Sequence, residues 1–259
     1  MSSDLEPHAT RWPPRGSDLP SSDGEPMETA RHRLQMNVLI DTLADAWAAR
    51  DDFYVGGNMF VYFSELHAKT FRGPDVFVVL DTIKHSRDKW YAWEEGGKLP
   101  DVVIELLSPS TREIDRGEKK RIYERVWKLA TYVMYDPFSH ELEVLTPSDD
   151  GTFTPVPEDA RGDFAVAPTG LSIGLRDGDI HEEKGPFLRW IDADGAPLPL
   201  GRERAEDAEQ RLAEAERART EAECARTDAE RARMDAEQRA ADAERRIAAL
   251  EAAHAKRGG

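Results

Sequence analysis

The chain has 259 residues, enough for one sizeable domain with appendages. Its formal charge of −16 excludes nonspecific nucleic-acid binding through a broad basic surface. Its single cysteine, Cys224, excludes an intrachain disulfide and a cysteine-based zinc site, and points to a reducing cytoplasm. The acidity is uneven: 22 Lys+Arg and 36 Asp+Glu precede Gly201, against 13 and 15 after Leu200, so it belongs to the globular part. A DNA ligand would therefore need a local basic face or bridging metal ions. No run is apolar and long enough to span a membrane, and the N-terminus lacks the apolar core of a signal peptide.

In chain order, residues 1–27 are polar and broken by Pro7, Pro13, Pro14, Pro20 and Pro26, which predicts a disordered segment. From Glu28 to Arg50 apolar residues recur at Met36, Leu39, Ile40, Leu43 and Trp47, the spacing of an amphipathic helix. Phe53 to Gly57 reads as a strand entering a tight turn, and Asn58 to Phe63 as a second extended run. Gly73 to Leu80 and Pro100 to Leu107 are apolar, β-branched strands, separated by a polar insertion, Lys84 to Glu95, dotted with aromatics. Asp115 to Lys128 reads as a helix, Thr131 to Tyr135 and Glu141 to Thr146 as strands. Leu171 to Leu175 and Phe187 to Ile191 add short β elements, with Asp194-Gly195 as a turn. The order is that of a mixed α/β domain over residues 28–194.

Residues 201–257 are almost wholly Ala, Glu, Arg, Asp and Gln. A seven-residue echo places Ala208, Ala215, Ala222, Ala229, Ala236 and Ala243 at d, with Leu212 and Ile247 at a, and Arg219, Arg226 and Arg233 filling the remaining seam. That pattern is either a thin coiled-coil interface or a long solvated helix.

The two apolar strands each carry an acid: Asp75 at the mouth of one, Glu105 in the middle of the other. A buried ionised carboxylate is costly unless paired, protonated or metal-bound. Two acids brought together by neighbouring strands make a hard-oxygen site suited to magnesium or manganese. Asp101 shares a face with Glu105, but four residues at about 3.3 Å each separate them too far to share one cation, so it caps the strand entrance instead. Lys119, one turn before Tyr123, could point back at such a site, or join Lys120 and Arg121 in a solvated basic face. His32 in the first helix could be catalytic or simply a half-buried surface group, and the second reading is favoured. No phosphate-binding loop follows Gly56-Gly57, and no nucleophile elbow occurs.

Taken together, Tyr54-Val55-Gly56-Gly57-Asn58-Met59, Gly73-Pro74-Asp75-Val76, Pro100-Asp101-Val102-Val103-Ile104-Glu105-Leu106-Leu107-Ser108-Pro109-Ser110, Lys119-Lys120-Arg121-Ile122-Tyr123 and Tyr132-Val133-Met134-Tyr135-Asp136-Pro137 resemble the Uma-type restriction endonuclease family, a branch of the PD-(D/E)XK nucleases. The resemblance implies a restriction-endonuclease-like mixed β-sheet flanked by helices, and the charged C-terminal helix is a habit of this subgroup. It also implies that Asp75, Glu105 and the Leu106 carbonyl bind Mg²⁺ or Mn²⁺. The superfamily lysine expected two residues after the acid is replaced by Leu107, and Lys119, with Lys120 as fallback, is its substitute. The activity implied is metal-dependent hydrolysis of DNA. Two active sites would suit cleavage of both strands, so a homodimer joined mainly through the globular domain is expected, with the thin seam of the tail assisting self-association. The rival expectation is a non-catalytic assembly or nucleic-acid-associated protein that keeps the fold.

Overall fold

The computed structural model describes residues 29–64 and 70–255. The segment 1–27, expected to be disordered, lies outside the described residues. The chain separates into two units, Met1–Leu200 and Gly201–Gly259.

In the first unit, helix α1 (Ala30–Ala46) begins at Thr29, whose hydroxyl accepts the His32 backbone N–H at 3.2 Å and so satisfies one of the helix's free donors. Its buried stripe is Arg31, His32, Gln35, Val38, Leu39, Thr42 and Leu43. Of the predicted apolar stripe only Leu39 and Leu43 are fully buried, while Met36, Ile40 and Trp47 pack partly covered against the same core. The shift has a cause in strand β12 (Glu183–Ile191), which packs on α1 at the edge of its sheet. Gln35 exchanges two hydrogen bonds with the Leu188 backbone, at 2.9 and 3.0 Å, and Arg31 donates to the Pro186 carbonyl at 2.6 Å. Polar side chains on the helix thus satisfy backbone groups that a strand edge leaves open.

The central sheet has the order β1 (Phe53–Gly56), β4 (Val76–Leu80), β6 (Val102–Leu106), β7 (Thr131–Tyr135), β8 (Leu142–Pro147), β9 (Phe153–Pro155). Only the β6–β7 pair is parallel, and a helical stretch 112–127, here α2, makes the crossover between them. Strands β6 and β7 are buried throughout. Alternation then sorts their side chains. Val102, Ile104, Leu106, Val133 and Tyr135 join a core with α1 and the hairpin β11 (Leu171–Ile180) and β12. Val103, Leu107, Tyr132 and Met134 join a core with Tyr123 and Trp127 of α2. The hairpin runs ten and nine residues per strand, longer than the short elements predicted, and β10 (Phe164–Val166) completes its sheet.

A third sheet, β3 (Phe71–Arg72), β2 (Val61–Tyr62), β5 (Trp90–Tyr91), draws β2 from the expected extended run, β5 from the expected polar insertion and β3 from a stretch that predicted no element. Trp90, inside that insertion, is fully buried. The fold is mixed α/β with a long C-terminal helix, α3 (Gly201–Ala255), whose described side chains up to residue 250 are exposed or nearly so. Among the described residues no helix is long and apolar enough to cross a membrane.

Candidate active site

The site is assembled by the β4–β6 register. Val76 pairs with Ile104 and Phe77 with Val103, so the next step sets Asp75 opposite Glu105 on the face that also holds Phe77, Val103 and Leu107. The Asp75 carboxylate accepts the backbone N–H of Leu106 at 2.6 Å, which ties the mouth of one strand to the other. Behind Asp75 the turn from β1 closes tightly. The Asn58 N–H lies 3.1 Å from the Pro74 carbonyl and 3.2 Å from the Asp75 carbonyl, and a Cβ on Gly57 would overlap the Asp75 carbonyl oxygen. Gly57 therefore serves close backbone approach rather than phosphate binding.

Glu105 is fully buried. Its Oε1 accepts from the Tyr123 hydroxyl at 2.7 Å and its Oε2 from the Lys119 ammonium at 2.9 Å. Lys119 also lies 2.8 Å from the buried carboxylate of Asp115. Asp115, Lys119 and Tyr123 are spaced four apart on α2, and the segments Asp115–Lys119 and Tyr123–Trp127 are π-helical. The wider π turn offsets the drift that residues four apart accumulate in an α-helix, keeping the three side chains over the strand.

Burial pushes the Glu105 carboxyl up, to about 8, with Asp75 and Asp115 adding to the rise and Lys119 and Tyr123 opposing it. For Lys119, burial works downward, but Glu105 and Asp115 outweigh it and hold the ammonium above its usual range. Burial and the Glu105 charge raise the Tyr123 hydroxyl well above the ordinary tyrosine value, so it remains a donor.

His32 is 6% exposed. Its Nε2 is 3.1 Å from the Leu106 carbonyl and its Nδ1 is 3.1 Å from the Thr29 hydroxyl. A carbonyl can only accept, so Nε2 carries a proton and donates to Leu106. The expectation of a half-buried surface group is thus replaced by a buried histidine on the backbone of the acidic strand.

Among the described residues no cluster of three or more His, Cys, Asp or Glu stands ready as a protein-only metal cage. The donors at hand are the carboxylates of Asp75 and Glu105 and the Leu106 carbonyl, oxygen only. That set fits a hard divalent cation which keeps several waters and takes one or two carboxylates.

Over residues 8–180 the sequence matches the Uma2 family, described as "Putative restriction endonuclease". The chain belongs to the Uma2 family. An uncharacterized protein of Synechocystis sp., slr1290, is 27% identical over 119 residues, 46% of this chain and 60% of that relative, so the match spans less than two thirds of the relative's length. A crystal structure of "a putative nuclease belonging to DUF820" from Anabaena variabilis is similar at 15% identity and a TM-score of 0.39, covering 55% of this chain and 82% of that one.

In this Uma2 member the residues singled out from sequence, Asp75, Glu105, Leu106 and Lys119, fall around one strand end. Lys119 rather than Lys120 reaches Glu105. Leu107, where the superfamily lysine would stand, is wholly buried in the core. Asp101 accepts the Leu80 N–H at 2.7 Å across the strand entrance. Asp115 escaped sequence reading, its signal being its spacing to Lys119 and Tyr123, and the burial of His32 was signalled only by its place three and seven residues before Gln35 and Leu39 on the buried stripe.

Proposed function

We propose that this protein is a divalent-metal-dependent endonuclease acting on DNA phosphodiester bonds, with Asp75, Glu105 and Lys119 as its catalytic residues. The observation that carries the reading is a buried carboxylate, Glu105, set across a strand pair from Asp75 and bonded to an ammonium 2.9 Å away, in a chain of a restriction endonuclease family. Asp75, Glu105 and the Leu106 carbonyl would hold Mg²⁺ or Mn²⁺, which supplies Lewis-acid polarisation of the phosphate and a lowered pKa for bound water. Lys119, kept charged by Glu105 and Asp115, serves as a fixed cation for the negative charge that develops on the phosphoryl oxygens; with its pKa raised it is no base at neutral pH. Asp115 positions that ammonium. Tyr123 orients Glu105, and His32 orients the Leu106 carbonyl. A homodimer, each protomer bringing one site, suits cleavage of both strands, and a reducing cytoplasm suits the single cysteine.

The test is cleavage of plasmid, linear duplex and single-stranded DNA with Mg²⁺ or Mn²⁺. Asp75→Asn and Glu105→Gln are each expected to cut the rate at least about a hundredfold, the scale of losing a transition-state charge contact. Activity that survives both substitutions belongs to a contaminant and ends the claim.

One observation favours a second reading, a non-catalytic protein that keeps the fold. Both Glu105 oxygens are already engaged, and burial favours its neutral form. Calorimetry decides between the two: no Mn²⁺ binding dependent on Glu105 at pH 8 removes the enzyme.

A further inference from the structure

The small sheet of β3, β2 and β5 has two unlike faces. Val61 and Trp90, paired across β2 and β5, are fully buried in the core beside Tyr123. The residues one step on point the other way. Phe71, Tyr62 and Tyr91 lie in register directly across the three strands. Phe60 and Trp93, two residues before Tyr62 and two after Tyr91, extend the row on that outer side.

The five rings form one continuous surface. Tyr62 is 5.2 Å from Phe71 and 5.1 Å from Tyr91, the latter pair stacked at 24°. Phe60 is 4.6 Å from Phe71, and Trp93 is 5.3 Å from Tyr91. None of the five is among the side chains packed on the hydrophobic cores. Phe60 is 47% exposed and Trp93 38%, while the three central rings are half-buried by their neighbours. A soluble domain gains nothing from a contiguous row of open aromatics unless something covers it.

The sheet is continuous with the carboxylate site. Strand β3 leads through Gly73 and Pro74 into Asp75. Arg72, next to Phe71, is ion-paired with Glu118, the neighbour of Lys119. The local charge is also unlike the rest: residues 60–98 carry six Lys+Arg and six Asp+Glu, whereas residues 1–200 carry 22 and 36. A polyanion repelled by the acidic body meets no net repulsion here.

We propose that this outer face is a stacking platform for the unpaired bases of single-stranded DNA, leading a single strand towards Asp75 and Glu105. The proposal rests on the nuclease reading of that carboxylate pair and adds the form of nucleic acid. Rings presented on the open face of a sheet accept any base, since every base has a π-face, so the platform selects strandedness and not sequence. Base stacking adds affinity that does not depend on surface charge, beside the six cations that this segment offers to the strand's backbone.

The experiment uses the full chain in EDTA, where hydrolysis cannot intervene, titrated with fluorescent oligothymidylate and with a duplex of equal length. The single strand is expected to bind more tightly than the duplex. Tyr62→Leu, Phe60→Leu and Trp93→Leu, which keep apolar bulk but remove the ring, are each expected to weaken it roughly 5- to 100-fold. Tyr62→Phe and Trp93→Phe should retain most of the affinity. Leucine variants that keep both their melting temperature and their affinity overturn the proposal. So does a leucine variant that turns a dimer into a monomer in light scattering with strand affinity unchanged, because the face would then be covered by a second copy. The two readings fail separately. Ring-dependent strand binding without Mg²⁺-dependent cleavage keeps the platform and removes the nuclease, and cleavage with ring-independent binding does the reverse.

Discussion

Two glutamate ion pairs of similar geometry lie in the two units of this chain. Glu105 is 2.9 Å from Lys119 within the sheet domain, and Glu230 is 3.2 Å from Arg226 on α3. The first pair has side chains 1% and 17% exposed, the second 66% and 82%. On the helix, water solvates both charges and salt screens them, so the bond is one of several interchangeable i,i+4 contacts, such as Asp207–Arg211 and Arg233–Glu237. In the sheet the charges have left water, and each depends on its partner, on Asp115 and on Tyr123. A carboxylate–cation pair is thus disposable in one unit and decisive in the other, and burial makes the main difference.

The sharpest way to break that contrast is to remove the cation from each pair. Lys119→Met strands two buried carboxylates and is expected to cost about 3–5 kcal/mol in urea unfolding above pH 8, and less at pH 6, where Glu105 takes up a proton. Arg226→Ala is expected to leave the unfolding curve where it was. Equal effects would remove the distinction.

The next effect is on pH dependence. Glu105 keeps its proton up to about 8 in the folded chain, against an ordinary glutamate value of 4.5. Between those values the folded state binds the extra proton, so the Glu105 contribution is complete below the lower value and is lost as pH rises through the upper one. Metal-free protein should therefore lose stability between about pH 5 and 8 by up to ~1.4 kcal/mol per unit, and Glu105→Gln should flatten that slope.

Cation affinity sharpens the comparison further. Holding a divalent ion requires the deprotonated carboxylate, so Mn²⁺ affinity is expected to rise about tenfold per pH unit until near 8 and then level off, with a proton released per ion bound. A flat calorimetric profile would place the ion away from Glu105. A smaller change is expected at the neighbouring backbone: His32→Ala, which frees the Leu106 carbonyl, should cost about 1 kcal/mol and lower kcat more than it raises KM, if the carbonyl is held for chemistry.

The smallest effect on the sheet domain should come from deleting the other region outright. Truncation after Leu200 removes 55 helical residues, against 17 in α1, and so more than half of the helical circular dichroism. The melting temperature of the domain should not move, and the proposed dimer should persist in light scattering, because alanine at d and arginine at a bury little area. A clean monomer would make the helix the principal dimerisation element.

Much of this molecule was legible in local sequence. The apolar, β-branched runs around Asp75 and Glu105 specified buried strands, the alanine-rich tail specified a helix, and the ordered motifs specified the Uma2 family, because each signal is carried by neighbours in the chain. Tertiary structure decided what depends on residues far apart. His32 lies 74 positions from the Leu106 carbonyl it meets, and only the docking of α1 on the sheets gives its ring a backbone acceptor. Asp115 and Lys119 were visible as a spacing, but a solvated face has the same spacing, and it was the packing of α2 over β6 that turned both inward. Trp90 and Tyr91 came from a segment that read as a polar insertion, Tyr62 from one that read as an extended run, and Phe71 from a stretch that read as no element. Strand pairing between short, distant segments assigned one ring to the core and three to the open face, a choice set by register across strands and carried by no residue alone.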